Sequence, residues 1–251
     1  MPENKINEQD ILNFALNLEY LEAEFYTYAT TGKSITTFGI GTKGHANGAN
    51  PPDGGTTVGG KQVTFSDDER FLRDLVSQIG SDERAHVVLL RGALGSTAVA
   101  MPNIDLNALG FGFGNQNDFL RAARILEDIG VTAYSGAAGL LKTPDIITAA
   151  ACLLGAEAEH AASIRTQVAR LKIPTTALDG ADLVPPPSGQ PRQFLSVKVS
   201  DGLVATRTAG QVLYLAFGSK AGVKQGGFFP TGLNGAITSS EEAAKAAGAA
   251  A

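Results

Sequence analysis

The sequence is poor in the residue types that build many metal and nucleic-acid sites. Its 251 residues include one cysteine, three histidines and no tryptophan. A single cysteine excludes an internal disulfide and any site built from several thiolates, such as an iron–sulfur cluster. Aromatic residues make up only 7%, and the net charge is −5. Because nucleic-acid binding relies on a basic face and on stacking aromatics, we predict no nucleic-acid partner.

Long apolar runs are also missing. No stretch approaches the roughly 18 uninterrupted apolar residues of a membrane span, so we predict no such span. The segment MPENKINEQD is polar and lacks the apolar core of an export signal. The localisation stays unassigned, since a leader removed earlier would leave the same start. The single cysteine, Cys152, lies in ITAAACLLGA, which predicts a small buried side chain.

Helical periodicity is the main pattern that the chain does show. Asn7 can cap the first predicted helix, and Ser66 with Glu69 has the signature of a capping box at the second. Thr143 and Pro144 suit the cap and the first position of the fourth. Only a few residues separate the third and fourth helices, which requires an antiparallel pair. The predicted helices cover residues 8–30, 67–94, 118–141 and 144–171.

The segments between the helices are rich in glycine and proline. Residues 32–65 are predicted to be an ordered crossover, with short strands near 34–38 and 62–65. MPNIDL is expected to be an extended piece of the second connector, residues 95–117.

The pattern changes after the fourth helix. We therefore divide the chain into a helical bundle, residues 1–172, and an irregular C-terminal extension, residues 173–251. Within the extension, QVLYLAFG predicts a strand or a short buried segment, and GGFFPTGLNG a turn-rich one. The last residues, SSEEAAKAAGAAA, are expected to form a frayed tail.

Two of the three histidines follow a glutamate by three positions on a predicted helix. Glu83 and His86 lie in ERAH of the second helix, and Glu157 and His160 lie in EAEH of the fourth. Side chains three residues apart project from one face of a helix, about one turn apart. Each pair can therefore present a carboxylate oxygen and an imidazole nitrogen to one metal ion.

The first and third helices repeat another pattern, a glutamate followed by a tyrosine seven residues later. Glu19 precedes Tyr26, and Glu127 precedes Tyr134. Because seven residues are about two turns, each tyrosine is expected on the stripe of its own glutamate. Both glutamates interrupt apolar stripes, where an unpaired carboxylate would be costly and a metal would remove the cost. We interpret the tyrosines as partners of the ligands or radical-capable catalytic neighbours; ordinary core tyrosines are the alternative.

Together these patterns predict a dinuclear metal site. A glutamate from each of two helices, with Glu-x-x-His from each of the other two, is the ligand set of di-iron and di-manganese carboxylate bundles. Four carboxylates balance two +2 charges, and the expected cofactors are two iron or manganese ions, although the same donors accept zinc. The alternative is that the Glu-x-x-His pairs are exposed surface pairs. The predicted ligands are Glu19, Glu83, His86, Glu127, Glu157 and His160.

Four other polar residues are weaker candidates. Glu22 lies one turn from Glu19 and is left open as a further ligand, whereas Glu24 and Glu159 are expected to point elsewhere. His45 lies among the glycines of the crossover. We interpret it as a loop-surface histidine; a role in covering the site is the alternative.

The same residues resemble those of the ferritin-like superfamily. EYLEAEFYTYA is similar to the first-helix motif of rubrerythrins, and the resemblance aligns Glu19 with a metal-ligand glutamate and Tyr26 with that motif's tyrosine. More closely, the chain resembles the desiccation-related ferritin-like domain proteins of plants, fungi and bacteria through LNFALNLEYLEAEFY, IGSDERAHV, MPNIDL and GGFFPTGLNG. This resemblance implies a mainly α, antiparallel four-helix bundle with a metal site in its core and a C-terminal extension. It implies little about activity, because the family is named for stress induction.

Two functions are expected from such a site. In the first, two iron or manganese ions react with a small oxidant, peroxide or O2, as in ferroxidases, peroxidases and manganese catalases. The lack of a four-cysteine electron-donor domain favours catalase or ferroxidase chemistry. In the second, the bundle binds metal without turnover and acts in stress protection. Cage-type iron storage is disfavoured because the crossover and the extension would have to fit a packed shell; a homo-oligomer is left open.

Overall fold

Four long helices, paired as two hairpins, form the body of the protein. We describe residues 6–44 and 52–245 from a computed structural model. The helix α1 packs chiefly against α2, and α3 against α4. Asn13, near the start of α1, bonds the carbonyl of Thr97, just beyond the end of α2, so these two helices run in opposite directions. The predicted mainly α bundle is confirmed, with α1 (Glu8–Thr31), α2 (Arg70–Leu94), α3 (Gln116–Ala137), α4 (Pro144–Arg170) and a short α5 (Ala209–Ala216).

The ends of α1 follow from its own sequence. Asn7 and Asp10 form a reciprocal capping box, in which each side chain accepts a backbone N–H from the other residue at 3.0 Å. Gly32 ends the helix in the left-handed conformation, with φ +71°, which costs glycine little. The predicted first helix is thus confirmed to within one residue.

The predicted capping box at the start of α2 is wrong. The helix begins at Arg70, three residues later than expected, and no side chain of the described chain caps it. The Glu69 carboxylate instead lies 2.5 Å from Arg170 at the end of α4, so it does not turn back to Ser66. The Glu69 carboxylate therefore forms an ion pair with a distant helix instead of the local bond that a capping box requires.

The third helix begins with a side-chain cap, and the fourth does not. Asn115 accepts backbone N–H bonds from Asn117 and Asp118, which starts α3 two residues earlier than predicted. Thr143 precedes Pro144 as expected, but its hydroxyl donates to Glu8 at 2.7 Å instead of accepting at the helix end. This contact ties the α3–α4 link to the start of α1.

The crossovers contain less strand than expected. Residues near 34–38 form a 3-10 helix (Ile35–Phe38), because Ser34 caps it and Gly39 ends it with φ +76°. Residues 62–65 do not form the second predicted strand. Isolated hydrogen bonds hold this segment instead, such as that from Val63 N–H to the Ala29 carbonyl at 2.8 Å. The extended piece in MPNIDL is confirmed as β2 (Ile104–Asp105), which pairs in parallel with β1 (Thr57–Val58).

The C-terminal extension packs into the same core as the bundle. QVLYLAFG is largely buried, as expected, but it is helical: Thr208 and Gln211 form a capping box that starts α5. Phe228 and Phe229, from the turn-rich segment, are 3% and 0% exposed. The predicted frayed tail is wrong for residues 239–245, where Ser240 is buried. Residues 246–251 lie outside the described chain.

Buried arginines fasten the extension to the bundle. Arg165 of α4 bonds Asp128 of α3 at 2.7 Å and also donates to carbonyls of the extension, including that of Phe194 at 3.0 Å. Arg207 of the extension holds Asp179 through two bonds and reaches the Thr132 hydroxyl of α3 at 2.7 Å. These buried charged groups are stabilised by carboxylate, carbonyl and hydroxyl partners instead of by solvent. The partners fix where the extension lies.

Two further predictions concern surface residues. Cys152 is exposed on α4 rather than buried, because the core face of this helix is formed by Leu153, Glu157 and their neighbours. His45 lies outside the described residues. Among the helices described, none combines the length and the apolarity needed to cross a bilayer.

Candidate metal centre

The six predicted ligands meet in the middle of the bundle. Each of the helices α1 and α3 contributes a glutamate, and each of α2 and α4 contributes a Glu-x-x-His pair. The four carboxylates are fully buried, and the two histidines are 9% and 6% exposed. The interpretation of Glu-x-x-His as an exposed surface pair is therefore wrong.

One group of donors surrounds His86. Its Nδ1 lies 3.2 Å from an oxygen of Glu19, 3.2 Å from Glu83 Oε2 and 3.6 Å from Glu157 Oε1. The ligand atoms of these four residues all lie within 4.8 Å of one another. Three carboxylates and one imidazole thus face a common point.

A second group surrounds His160. Its Nδ1 lies 2.9 Å from Glu83 Oε1 and 3.7 Å from Glu127 Oε2. Glu83 therefore belongs to both groups, with one oxygen toward each histidine. The centroids of the two imidazole rings are 5.9 Å apart, and the ring planes are inclined by 26°. A carboxylate placed in this way can bridge two ions.

Several of the donor atoms are buried without a hydrogen-bond partner. Within residues 6–44 and 52–245, no group makes a hydrogen bond to Glu127 Oε2 or to either oxygen of Glu157. Glu83 Oε1 and His160 Nδ1 are close together but lack hydrogen-bond geometry. A buried polar atom without a partner costs roughly 1–3 kcal/mol, and more when charged. Bound cations would satisfy these atoms, so the residues present fit a pair of metal ions.

Burial and mutual repulsion shift the acid–base properties of the centre. Burial raises the pKa of Glu19 to about 8, although the bond with His86 opposes the shift. Burial would also raise the pKa of Glu83, but its contacts with His160 and His86 outweigh burial and lower it to about 2. Burial opposes protonation of His160, yet Glu83 and Glu127 raise its pKa to about 10. The metal-free centre therefore holds protons that metal binding must displace.

The two tyrosines bond the glutamates across the bundle. Tyr26 of α1 donates to Glu127 Oε1 of α3 at 2.5 Å, and Tyr134 of α3 donates to Glu19 Oε1 of α1 at 2.5 Å. Each tyrosine thus bonds the glutamate of the other helix rather than that of its own, because α1 and α3 run in opposite directions. Each phenol occupies one oxygen of its glutamate and leaves the other oxygen facing a histidine.

Three other residues near the centre have distinct surroundings. Asp82, which the sequence pattern did not single out, lies 3.4 Å from the outer nitrogen of His160. Glu22 is 4% exposed, and burial together with the charges of neighbouring carboxylates raises its pKa well above the usual range. Glu24 points away, as expected, and accepts a bond from Ser34 at 2.7 Å.

The extension covers one side of the centre. A small cavity of about 10 Å³ lies between Glu22, Gly130 and the apolar side chains Ala216 and Phe228. A second, apolar cavity of about 30 Å³ lies along the N-terminal half of α1 and reaches Tyr134. Since the histidines are the most exposed of the six, the centre is closest to solvent on the α2–α4 side.

The helical bundle and its buried carboxylate–histidine cluster define a class of protein. A model of the ferritin-like domain matches residues 7–170, and the chain belongs to this family. The chain is similar to the desiccation-related protein PCC13-62 of Craterostigma plantagineum, at 28% identity over 176 residues, which cover 63% of this chain and 52% of that protein. It thus spans about half the length of that relative. The resemblance inferred from the sequence is confirmed.

A second relative is covered more fully. The chain is similar to the ferritin-like catalase Nec2 of Nesocodon mauritianus, at 26% identity over 274 aligned positions. The alignment covers 94% of this chain and 87% of that protein, so it includes the C-terminal extension as well as the bundle.

Proposed function

We propose that the bundle holds two iron or manganese ions and that the loaded centre reacts with peroxide or O2. The observation that carries this proposal is the position of Glu83, whose two oxygens face two different histidines. The other proposed ligands are Glu19, His86, Glu127, Glu157 and His160.

The ligand set suits ions that change their oxidation state. When bound, iron or manganese would supply one-electron steps between the +2 and +3 states. Carboxylates can change their mode of binding between these states, and the oxygens without partners on Glu127 and Glu157 are free to do so within the described chain.

The chain's own residues orient the ligands and exclude water. The Tyr26 and Tyr134 hydroxyls donate hydrogen bonds that hold Glu127 and Glu19 in place. Because both phenols are buried in the core, they also keep water away from the carboxylate oxygens that they bond. Burial and the nearby carboxylate raise the pKa of Tyr26 well above its usual value, so its phenol keeps its proton. We assign both tyrosines a positioning role in this reaction.

Peroxide disproportionation is the reaction to test first, because the more fully covered relative is named a catalase. The protein would be stripped of metal, reloaded with Mn²⁺ or Fe²⁺, and analysed for metal content and for O2 release from peroxide. Zn²⁺-loaded protein is the matched control, since the same donors bind an ion without redox chemistry. We expect two ions per chain and turnover only with the redox metals.

The alternative is a metal-binding stress-protection protein without turnover. The full burial of the four carboxylates and the similarity to a desiccation-related protein favour it. Two bound ions with no turnover of peroxide and no oxidation of Fe²⁺ would support this alternative. A chain that binds none of manganese, iron and zinc would contradict both proposals.

A further inference from the structure

Glu22 is a buried carboxylate that the six-ligand centre does not use. It lies one turn from Glu19 on α1 and is 4% exposed. Its Oε1 is directed toward Gly130 of α3, and an oxygen of the proposed ligand Glu157 approaches the same glycine. The carboxylate therefore lies beside the centre rather than in solvent.

The helices α1 and α3 differ at one position of their repeated pattern. Glu19, Glu22 and Tyr26 on α1 have the same spacing as Glu127, Gly130 and Tyr134 on α3. Gly130 thus stands where the approximate twofold relation would place a second carboxylate. Glycine inside a helix is unfavourable, so its presence calls for a local reason.

Close approach of carboxylates supplies that reason. A β-carbon added at Gly130 would lie 2.3 Å from Glu157 Oε2 and 3.2 Å from Glu22 Oε1. The space that a side chain would fill is therefore occupied by two carboxylate oxygens from other helices, one of which has no hydrogen-bond partner in the described chain. Glu22 and Glu157 converge on this gap.

We propose that Glu22 is a fifth carboxylate ligand of the dinuclear centre and that Gly130 provides the room in which it and Glu157 bind. This assignment rests on the proposed function, since it presupposes bound metal. Five carboxylates carry one negative charge more than two divalent ions can balance, and they match one divalent and one trivalent ion. The centre would thus stabilise the +2/+3 pair of ions relative to the +2/+2 pair. The additional negative charge would come from α1 alone.

The test compares Glu22→Gln with Glu24→Gln. The two glutamates are two residues apart on α1 and both are buried, but Glu24 bonds Ser34 away from the centre. Mn²⁺ affinity would be measured by competition with a chelator, and the loaded proteins would be compared by electron paramagnetic resonance and by the midpoint potential. We expect Glu22→Gln to weaken Mn²⁺ binding at least about tenfold, alter the spectrum and raise the potential, with Glu24→Gln unchanged.

The outcomes separate this assignment from the proposed function. If the unmodified protein binds neither Mn²⁺ nor Fe²⁺, both are overturned; if it binds Fe²⁺ alone, the variants are compared with Fe²⁺. If it binds two ions and Glu22→Gln binds them with the same affinity, spectrum and potential, only the role of Glu22 is overturned. Should Glu22→Gln fail to fold, Glu22→Asp keeps the carboxyl group but places it one methylene farther from the centre. Unchanged Mn²⁺ binding by that variant would equally overturn the assignment.

Discussion

Replacing Glu157 by glutamine should affect the metal-loaded protein far more than the metal-free one. Both oxygens of Glu157 are buried without hydrogen-bond partners in the described chain, and burial followed by the charge of Glu83 raises its pKa. Burial and this charge favour the protonated form of its carboxyl in the metal-free protein, and glutamine has the shape and charge of that form. We expect the free energy of unfolding of the metal-free protein to change by less than about 1 kcal/mol.

The metal-loaded protein should lose free energy of unfolding in proportion to the logarithm of the metal affinity lost. A ligand that binds only the folded state stabilises it through mass action, and each tenfold loss of affinity removes about 1.4 kcal/mol. For a chain of this size that corresponds to roughly 3–6 °C in the melting temperature. An amide oxygen is a weaker donor than a carboxylate, so at least this loss is expected for Glu157→Gln.

Calorimetric melts with chelator and with excess Mn²⁺ would measure both effects. Glu159→Gln is the matched control, because Glu159 is exposed on the same helix, two residues away. The reasoning is refuted if Glu157→Gln keeps the full metal-induced rise in melting temperature, or if it destabilises both forms equally.

Three further outcomes are expected. Tyr26→Phe should leave the fold intact but weaken metal binding about 10–100-fold, because Glu127 loses the bond that orients it; equal affinity in a chelator competition would contradict this. The pKa of His160 is raised to about 10 in the metal-free protein, so metal binding below that pH must displace its proton. Mn²⁺ affinity should therefore rise with pH, by about tenfold per unit for each proton displaced, and calorimetry in buffers of different ionisation heat would detect the release. Arg165→Met should lower the free energy of unfolding by roughly 3–5 kcal/mol, since it leaves Asp128 short of a buried partner; a denaturant titration showing less than 1 kcal/mol would exclude that role.

The sequence predicted those parts of the molecule that depend on local patterns. The caps of α1, the Pro144 start of α4 and the buried Glu-x-x-His faces all follow from spacings of a few residues. The same spacings identified six residues that the structure brings together, and their role as ligands stays a prediction until metal is bound.

Features that depend on distant partners could not be predicted in this way. Glu69 has the right spacing for a capping box, but Arg170, 101 positions later, takes its carboxylate. The crossed bonds of Tyr26 and Tyr134 require the relative direction of α1 and α3, which no stripe on a single helix reveals. The apolar run around Cys152 indicated burial, whereas only the packed bundle shows which of its residues face outward.

The segment that closes the core is synthesised after the whole of the helical bundle. Asn17, in the middle of α1, bonds Asn234, 217 positions further along the chain, and Phe228 accepts a bond from Asp105 in the second connector. A growing chain can pair its helices before these contacts exist, yet the α1–α3 side stays uncovered until the extension arrives. Completion of the core therefore waits until the extension has been synthesised, and this non-local step falls at the side of the bundle opposite its two histidines.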